Sequence, residues 1–408
     1  MNSGPNIANC KVKEEAEQLV VELDGFPPIV FQFPDQKAPS LETYDFAIWA
    51  VLPIALRLGL AVRFHQPMSR RGLDSANNIA KVWQRWLPNF FSTVYLEAPL
   101  APPRHKNLPK KALTFFSGGI DSTYSAYKSY NERGQDSDSL TIHGMDYKFD
   151  DTSRFESLKE QTKTFREKFF EHSHFVKTNL YNVYSLIGCN PKGSHITHIF
   201  TLFSCGSIFE TYTTYRISAD YRLDQQLEVH PWGSNTATNR LMRNGNGQLV
   251  TLDDDITRAE KAKHLVFSGL DLSSLSICVD HNIRPHNCGV CSKCMRTKAM
   301  FYATAGNIPT IFLNKDLSKN WHNSIHMKRK SERVFLNDIV ETAIANNCYE
   351  SFPGIQEAHL KLRSEQVKSA RNPMYGIKAK QLIKELLPLR WRVTFKQFQL
   401  RRRLADTL

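Results

Sequence analysis

The twelve residues Ala112-Leu-Thr-Phe-Phe-Ser117-Gly-Gly-Ile-Asp121-Ser122-Thr123 constrain this chain more than any other stretch. Five residues of strand character, Ala112 to Phe116, run directly into Ser-Gly-Gly-Ile-Asp-Ser. Helix-forming residues follow, from Tyr124 to Lys128. A strand that stops at two glycines before a helix start leaves backbone N–H groups facing open space. With the positive end of the helix dipole behind them, those groups form an anion cradle. Gly118 and Gly119 let the backbone approach a phosphate closely, and Ser117, Ser122 and Thr123 add hydroxyl donors. Asp121 sharpens the reading: a carboxylate in a phosphate loop is repulsive unless a divalent metal stands between them, which points to magnesium-bound pyrophosphate. The competing reading is a surface turn with Asp121 as a helix N-cap, because short glycine motifs recur by accident. The pattern lacks the Gly-Lys-Ser ending of the P-loop.

At 408 residues the chain has room for two or three domains. Its 41% hydrophobic and 23% charged residues are ordinary for a soluble protein, whereas the formal net charge of +13 is not. Such a surplus suggests an anionic partner: nucleotide, nucleic acid, an acidic protein or a membrane surface. Met1 to Lys13 lacks the basic-then-apolar pattern of a secretory signal. The longest apolar run, Phe46 to Leu56, is about half what a transmembrane helix needs. The expectation is a cytoplasmic protein with no transmembrane segment.

Read in order, residues 1–105 form an N-terminal α/β module, with strands at Leu19–Leu23, Ile29–Phe33, Leu60–Phe64 and Ser92–Leu96 and helices at Thr43–Leu58 and Leu73–Leu87. Pro99, Pro102, Pro103 and the basic run Arg104 to Lys111 read as a linker. Residues 106–315 alternate strands and helices, which predicts a mostly parallel sheet covered by helices. Strands are expected at Leu140–Met145, His174–Thr178 and Arg216–Ala219, and helices at Thr152–Phe170 and His195–Phe209. Ligands in such sheets bind beyond the carboxyl ends of the strands, which gathers Ser117 to Thr123, Asp146 and the segment after Ala219 around one crevice. In that segment, His230 to Arg240 is either a ligand-touching loop or an ordinary polar one. Thr257 and Glu260 spell a capping box, from which Arg258 and Lys261 reach toward phosphate or simply line a solvated helix face.

Cys278, Cys288, Cys291 and Cys294 are spaced C-x9-C-x2-C-x2-C. Four thiolates at this spacing suit tetrahedral zinc, with Gly289 easing the knuckle turn and Arg296 and Lys298 offsetting the charge. An iron–sulfur cluster, a redox pair and unconnected buried cysteines are the alternatives. Four cysteines leave no open position on the metal, so its role is expected to be structural.

Together the two motifs resemble the PP-loop ATP pyrophosphatases, whose signature is SGGxDS after the first strand, and among them the 7-cyano-7-deazaguanine synthases (QueC). In that group the same cysteine knuckle binds zinc and is followed by an Arg and a helix of small residues, as in Cys294-Met-Arg296-Thr-Lys-Ala-Met-Phe-Tyr-Ala-Thr-Ala-Gly306. The resemblance covers Ala112 to Gly306. It implies an adenine nucleotide alpha-hydrolase-like parallel sheet with helices on both faces, ATP and Mg2+ at Ser117, Gly118, Gly119, Asp121, Ser122 and Thr123, and Zn2+ at the four cysteines; the crevice and the capping box add Asp146, Arg258 and Lys261 to the expected nucleotide site. Asp121 and Ser122 become the catalytic candidates. The implied reaction activates a carboxylate such as that of 7-carboxy-7-deazaguanine as an adenylate, with pyrophosphate released and a nitrogen nucleophile displacing AMP. The chain departs from the group where Asp146-Tyr147-Lys-Phe-Asp150-Asp151-Thr lacks the usual Gln and His, and where His230 to Arg240 replaces a Tyr-Pro-Asp-Cys run. Elongated QueC-like proteins occur in bacterial antiphage operons, which implies a protein partner. Two other readings are a PP-loop tRNA-modifying enzyme and a non-catalytic ATP-binding subunit of a defence or regulatory complex.

Residues 316–408 read as a basic helical region. Helices are expected at Val334–Ala345, Glu357–Arg371 and Ile377–Leu386, and Arg390 to Arg403 interleaves aromatics with six basic residues. That end either meets nucleic acid, an acidic partner or a membrane surface, or packs its aromatics on the body with solvated arginines.

Overall fold

Alternation organises the first strand: Ala8, Cys10 and Val12 turn inward while Lys11 and Lys13 stay exposed. A computed structural model of the chain describes residues 7–102, 110–191 and 194–371. Ten strands form one sheet: β1 (Ile7–Glu15), β2 (Gln18–Leu23), β3 (Ile29–Gln32), β4 (Ala61–Phe64), β5 (Tyr95–Glu97), β6 (Ala112–Phe115), β7 (Ser137–His143), β8 (Ser173–Thr178), β9 (Thr214–Ser218) and β10 (Gln248–Leu252). Their order is β10-β9-β6-β7-β8-β3-β2-β1-β4-β5. Pairings from β10 through β8 are parallel, those linking β8, β3, β2 and β1 are antiparallel, and β1, β4 and β5 are again parallel. The molecule is therefore α/β with a mostly parallel central sheet.

Strands on both sides of the proline-rich stretch at 99–103 belong to this one sheet, because β3 pairs with β8 through Phe31↔Thr178 and Gln32↔Lys177. One hydrophobic core also spans both segments. The helix Asp45–Leu58 is apolar nearly all round and packs on Ile196–Ser207; the rings of Trp49 and Phe203 stand 5.0 Å apart edge to face. A second core lies under the helices Arg258–Phe267, Ser292–Ala305 and Lys330–Ala345, with Phe301, Leu336 and Ile339 buried.

Several elements differ from the sequence expectation. The helix expected over Thr152–Phe170 is two helices, Thr152–Gln161 and Lys163–Phe169. The break falls at Thr162, whose hydroxyl donates back to the Leu158 carbonyl at 2.8 Å, a bond that competes with the helical ladder. Strands β1 and β10 and the helices Leu180–Ile187 and Leu223–Val229 were not anticipated. The expected helix Ile377–Leu386, the stretch Arg390 to Arg403 and most of the expected linker lie outside the described residues. No helix among the described residues is long and apolar enough to cross a membrane.

Candidate active site

Numbered from β6, the parallel half of the sheet has the order 5-4-1-2-3, the doubly wound order in which the chain reverses direction of travel between its first and fourth strands. The reversal opens a crevice beyond the carboxyl ends of β6 and β9. Into it runs the turn Ser117-Gly118-Gly119. Gly118 has φ of +72°, which glycine alone adopts without strain, and its carbonyl accepts from Ser276 N at 2.9 Å. Gly119 caps the helix Ile120–Arg133. Ser117 is exposed, and its Oγ and that of Ser122 stand 3.4 Å apart. Thr123 is buried, and its Oγ1 has no hydrogen-bond partner among the described residues.

From the opposite side, the helix Arg258–Phe267 points its first turn at Asp121. The expected capping box is present: Thr257 Oγ1 accepts from Glu260 N at 3.3 Å, and Glu260 accepts from Thr257 N at 2.6 Å. Fixed by it, Arg258 donates to both Asp121 oxygens, at 3.1 and 2.5 Å, and to Asp220 at 3.3 Å. Arg258 lies over the Phe335 ring at 4.4 Å, as Arg296 does at 4.1 Å. Burial works to lower the pKa of Arg258, but Asp121 and Asp220 outweigh it and raise it above the ordinary guanidinium value. Lys261 is fully buried; its Nζ donates to the Ala219 carbonyl at 2.6 Å and lies 3.7 Å from Asp121. Asp220 also accepts from Trp232 Nε1 at 3.0 Å, which ties the loop starting at His230 to the crevice.

Asp146 follows β7 at the same rim, half exposed. Packing works to raise its pKa, while Arg284, Lys293 and His198 together hold it down at about 2. Arg284 donates to the Asp146 carbonyl and carboxylate and to the Cys278 carbonyl. A single guanidinium thus joins the strand rim to the cysteine knuckle.

The four cysteine sulfurs lie within 4.8 Å of one another, with Cys278–Cys291 at 3.8 Å and Cys288–Cys294 at 3.9 Å. A tetrahedron with metal–sulfur bonds of about 2.3 Å has edges of about 3.8 Å, so the cluster fits one ion such as zinc. A cluster of several irons needs its thiolates farther apart. Backbone N–H groups of Asp280, Val290, Cys291 and Cys294 point at the sulfurs from 3.3 to 3.4 Å, as thiolates require. Gly289 has φ of +79°, and a Cβ there would meet the Asn314 carbonyl at 2.1 Å. Asn287 holds the base of the knuckle, accepting from Ile277 N and donating to the Leu275 carbonyl, each at 2.8 Å. A second constellation, Asp138, Glu171 and His172, lies at the other end of the strands. There Lys111 Nζ already stands 2.8 Å from Asp138 and 3.8 Å from Glu171, so an ammonium occupies the place of a cation.

The turn's helix, through Asp121, therefore meets Arg258 and Lys261 directly, whereas Asp146 is tied through Arg284 to the cysteine knuckle and makes no hydrogen bond or ion pair with them among the described residues. Reading the sequence did not single out Asp220, Arg284, Lys293 or Phe335. Arg284 had a signal of a kind, as an arginine inside a nine-residue cysteine spacer. Phe335 had none.

No protein-family model matches the chain, and searches of curated proteins and of solved structures return nothing similar.

Proposed function

We propose that the protein is an ATP-dependent, QueC-like enzyme of the PP-loop type, which adenylylates a carboxylate and releases pyrophosphate. The observation that carries this reading is the convergence, at the switch point of the sheet, of a glycine turn capping a helix with Arg258 and Lys261 on Asp121. The turn offers N–H donors to phosphate oxygens, and the two cations answer their charge. Asp121 serves as the pivot, since it holds Arg258 in the crevice. It is also the residue that would hold magnesium, which supplies charge neutralisation at the phosphates. A substrate carboxylate attacks the α-phosphorus, the bond to the β-phosphate breaks, and a nitrogen nucleophile displaces AMP from the acyl-adenylate. Catalysis of this kind is positioning and charge stabilisation, so no dedicated base is required. Structural zinc at the four cysteines belongs to the same reading, as do a cytoplasmic location, a deazaguanine-type substrate and a protein partner in antiphage defence. The closed sulfur set has no spare thiol for the sulfur transfer of a tRNA thiolase.

The test is pyrophosphate release from ATP with 7-carboxy-7-deazaguanine, comparing the wild type with Asp121→Ala and Arg258→Ala. Release that requires the carboxylate and falls at least 100-fold in both variants is expected. Nucleotide binding without release in the wild type would make the protein a nucleotide-binding subunit instead.

A further inference from the structure

The helix Lys330–Ala345 stands in the stretch expected to be a separate basic tail, but one stripe of it meets residues of the crevice. Glu332, Phe335 and Asp338 recur at every third position and share that stripe. Glu332 accepts from Arg296 at 2.8 Å. Asp338 is buried and accepts from Ala259 N at 3.0 Å, and it also bonds the side chain of Thr257. Thr257 and Ala259 are the two neighbours of Arg258 in the chain, so residues on either side of that arginine are anchored to one carboxylate. The bond to Ala259 satisfies a first-turn N–H that has no partner within its own helix, and the negative charge suits a helix start. At the beginning of its own helix, Lys330 donates to the His230 carbonyl at 3.4 Å.

Phe335 acts on the side chain of Arg258 rather than on its backbone. Its ring is buried, with the Arg258 guanidinium 4.4 Å and the Arg296 guanidinium 4.1 Å from its centre, and it stacks on Tyr221 at 4.8 Å. A guanidinium places all its N–H groups in its own plane. Arg258 directs donors in that plane at Asp121 and Asp220, which leaves its flat faces to be held by something other than hydrogen bonds. A ring against such a face holds it by attraction between the cation and the π electrons, and that attraction strengthens where water is kept out. Tyr221 in turn meets the Trp232 ring at 5.4 Å, and Trp232 donates to Asp220. The ring beside the arginine is thus linked to the arginine's second carboxylate.

We propose that Phe335 is a positioning residue of the nucleotide site, which sets the plane of the Arg258 guanidinium before the phosphates of ATP arrive. This rests on the nucleotide reading above and extends that site into the C-terminal region. Phe335 touches neither the nucleotide nor the reacting atoms; it acts through Arg258. The geometry that a bound phosphate needs is set during folding, and less order has to be gained on binding. Without the ring, Arg258 keeps its carboxylates but is free to tilt about them, and the donors left for a phosphate oxygen lose their aim.

The experiment is calorimetric titration of the full-length chain with the magnesium complex of α,β-methylene-ATP, with the melting temperature of each variant taken alongside. The variants are Phe335→Leu, Phe335→Tyr, Val340→Ala, Arg258→Lys, and Phe335→Leu combined with Arg258→Lys. Val340 is buried on the same helix, turned about 140° from Phe335, and its truncation controls for lost packing. Expected is binding at least about tenfold weaker in Phe335→Leu and restored to within about threefold in Phe335→Tyr. In Val340→Ala, binding should stay within about twofold of wild type although the melting temperature falls at least as far as in Phe335→Leu. A lysine at 258 keeps the charge but has no plane to set, so Phe335→Leu added to Arg258→Lys should weaken binding by less than about twofold further. Equal binding in wild type and Phe335→Leu overturns the proposal. A loss in Val340→Ala matching that in Phe335→Leu overturns it too, because the helix would then support the fold alone. So does a full tenfold loss on top of Arg258→Lys. A wild type that binds no nucleotide refutes the nucleotide reading itself.

Discussion

Asp121 and Arg258 are 137 residues apart in sequence and share two hydrogen bonds in a partly buried place. Removing either partner strands the other's charge, so each single substitution costs more than the pair is worth. A double-mutant cycle with Asp121→Asn and Arg258→Met is expected to give a coupling energy of about 2 kcal/mol in chemical denaturation. A second residue-scale prediction concerns Asp138, which is buried. Burial works to raise its pKa, but hydrogen bonds from His174, Lys111, Tyr212 and His172 outweigh it and hold the carboxyl well below its ordinary value. A carboxyl depressed in the folded state binds fewer protons there than in the unfolded chain. Its stabilisation is complete above the ordinary carboxylate pKa of about 4 and is lost as the pH falls through the folded value. Asp138→Asn should therefore cost about 3 kcal/mol at pH 7, and its difference from wild type should shrink on acidification below pH 4, as read by denaturation at several pH values.

At the scale of elements, the knuckle and the strand rim are one mechanical unit, because Arg284 bonds both the Cys278 carbonyl and Asp146. Stripping the metal with a chelator should lower the melting temperature by several degrees and weaken nucleotide binding as well. Cys288→Ser should reproduce both effects, and metal analysis of the untreated protein should give one zinc per chain. The elements were unevenly legible in the sequence. The strand–turn–helix around Ser117 and the cysteine spacing could be read because each signal is local: consecutive residues carry it. β1 was missed because Ala8, Lys11, Lys13, Glu14 and Glu15 are residues of low strand propensity, although its inward positions alternate. β10 is five residues between a glycine-rich turn and three aspartates, too short to register. The two bonds that assemble the crevice, Arg258–Asp121 and Arg284–Asp146, join partners more than 130 residues apart and leave no trace in local pattern.

For the molecule as a whole, the first hundred residues are joined to the rest by more than a sheet edge. All residues of the helix Ile196–Ser207 except His198 are buried, many of them against the helix Asp45–Leu58. The carboxylate of Glu210 accepts from Glu42 N and Thr43 N, each at 2.9 Å, and buried Asp45 accepts from Gly245 N at 2.8 Å. A fragment beginning at Lys110 would expose that helix and the edge of β8. It should be insoluble or unfolded by circular dichroism, whereas the intact chain should melt in a single transition seen alike by near- and far-ultraviolet signals.

The antiparallel pairings at β3, β2 and β1 reverse the polarity of the sheet along its length. β4 and β5 consequently end on the edge opposite the one where β6 to β10 end. The molecule has two rims of loops facing away from each other, each built by the carboxyl ends of parallel strands. One rim holds the crevice. The loops after β4 and β5, from His65 to Met68 and from Ala98 to Ala101, form the other, and Met68 bridges to Leu100 there. The far rim is thus held by the same sheet as the crevice while lying at the opposite ends of its strands, so a substitution in one set of loops leaves the residues of the other untouched.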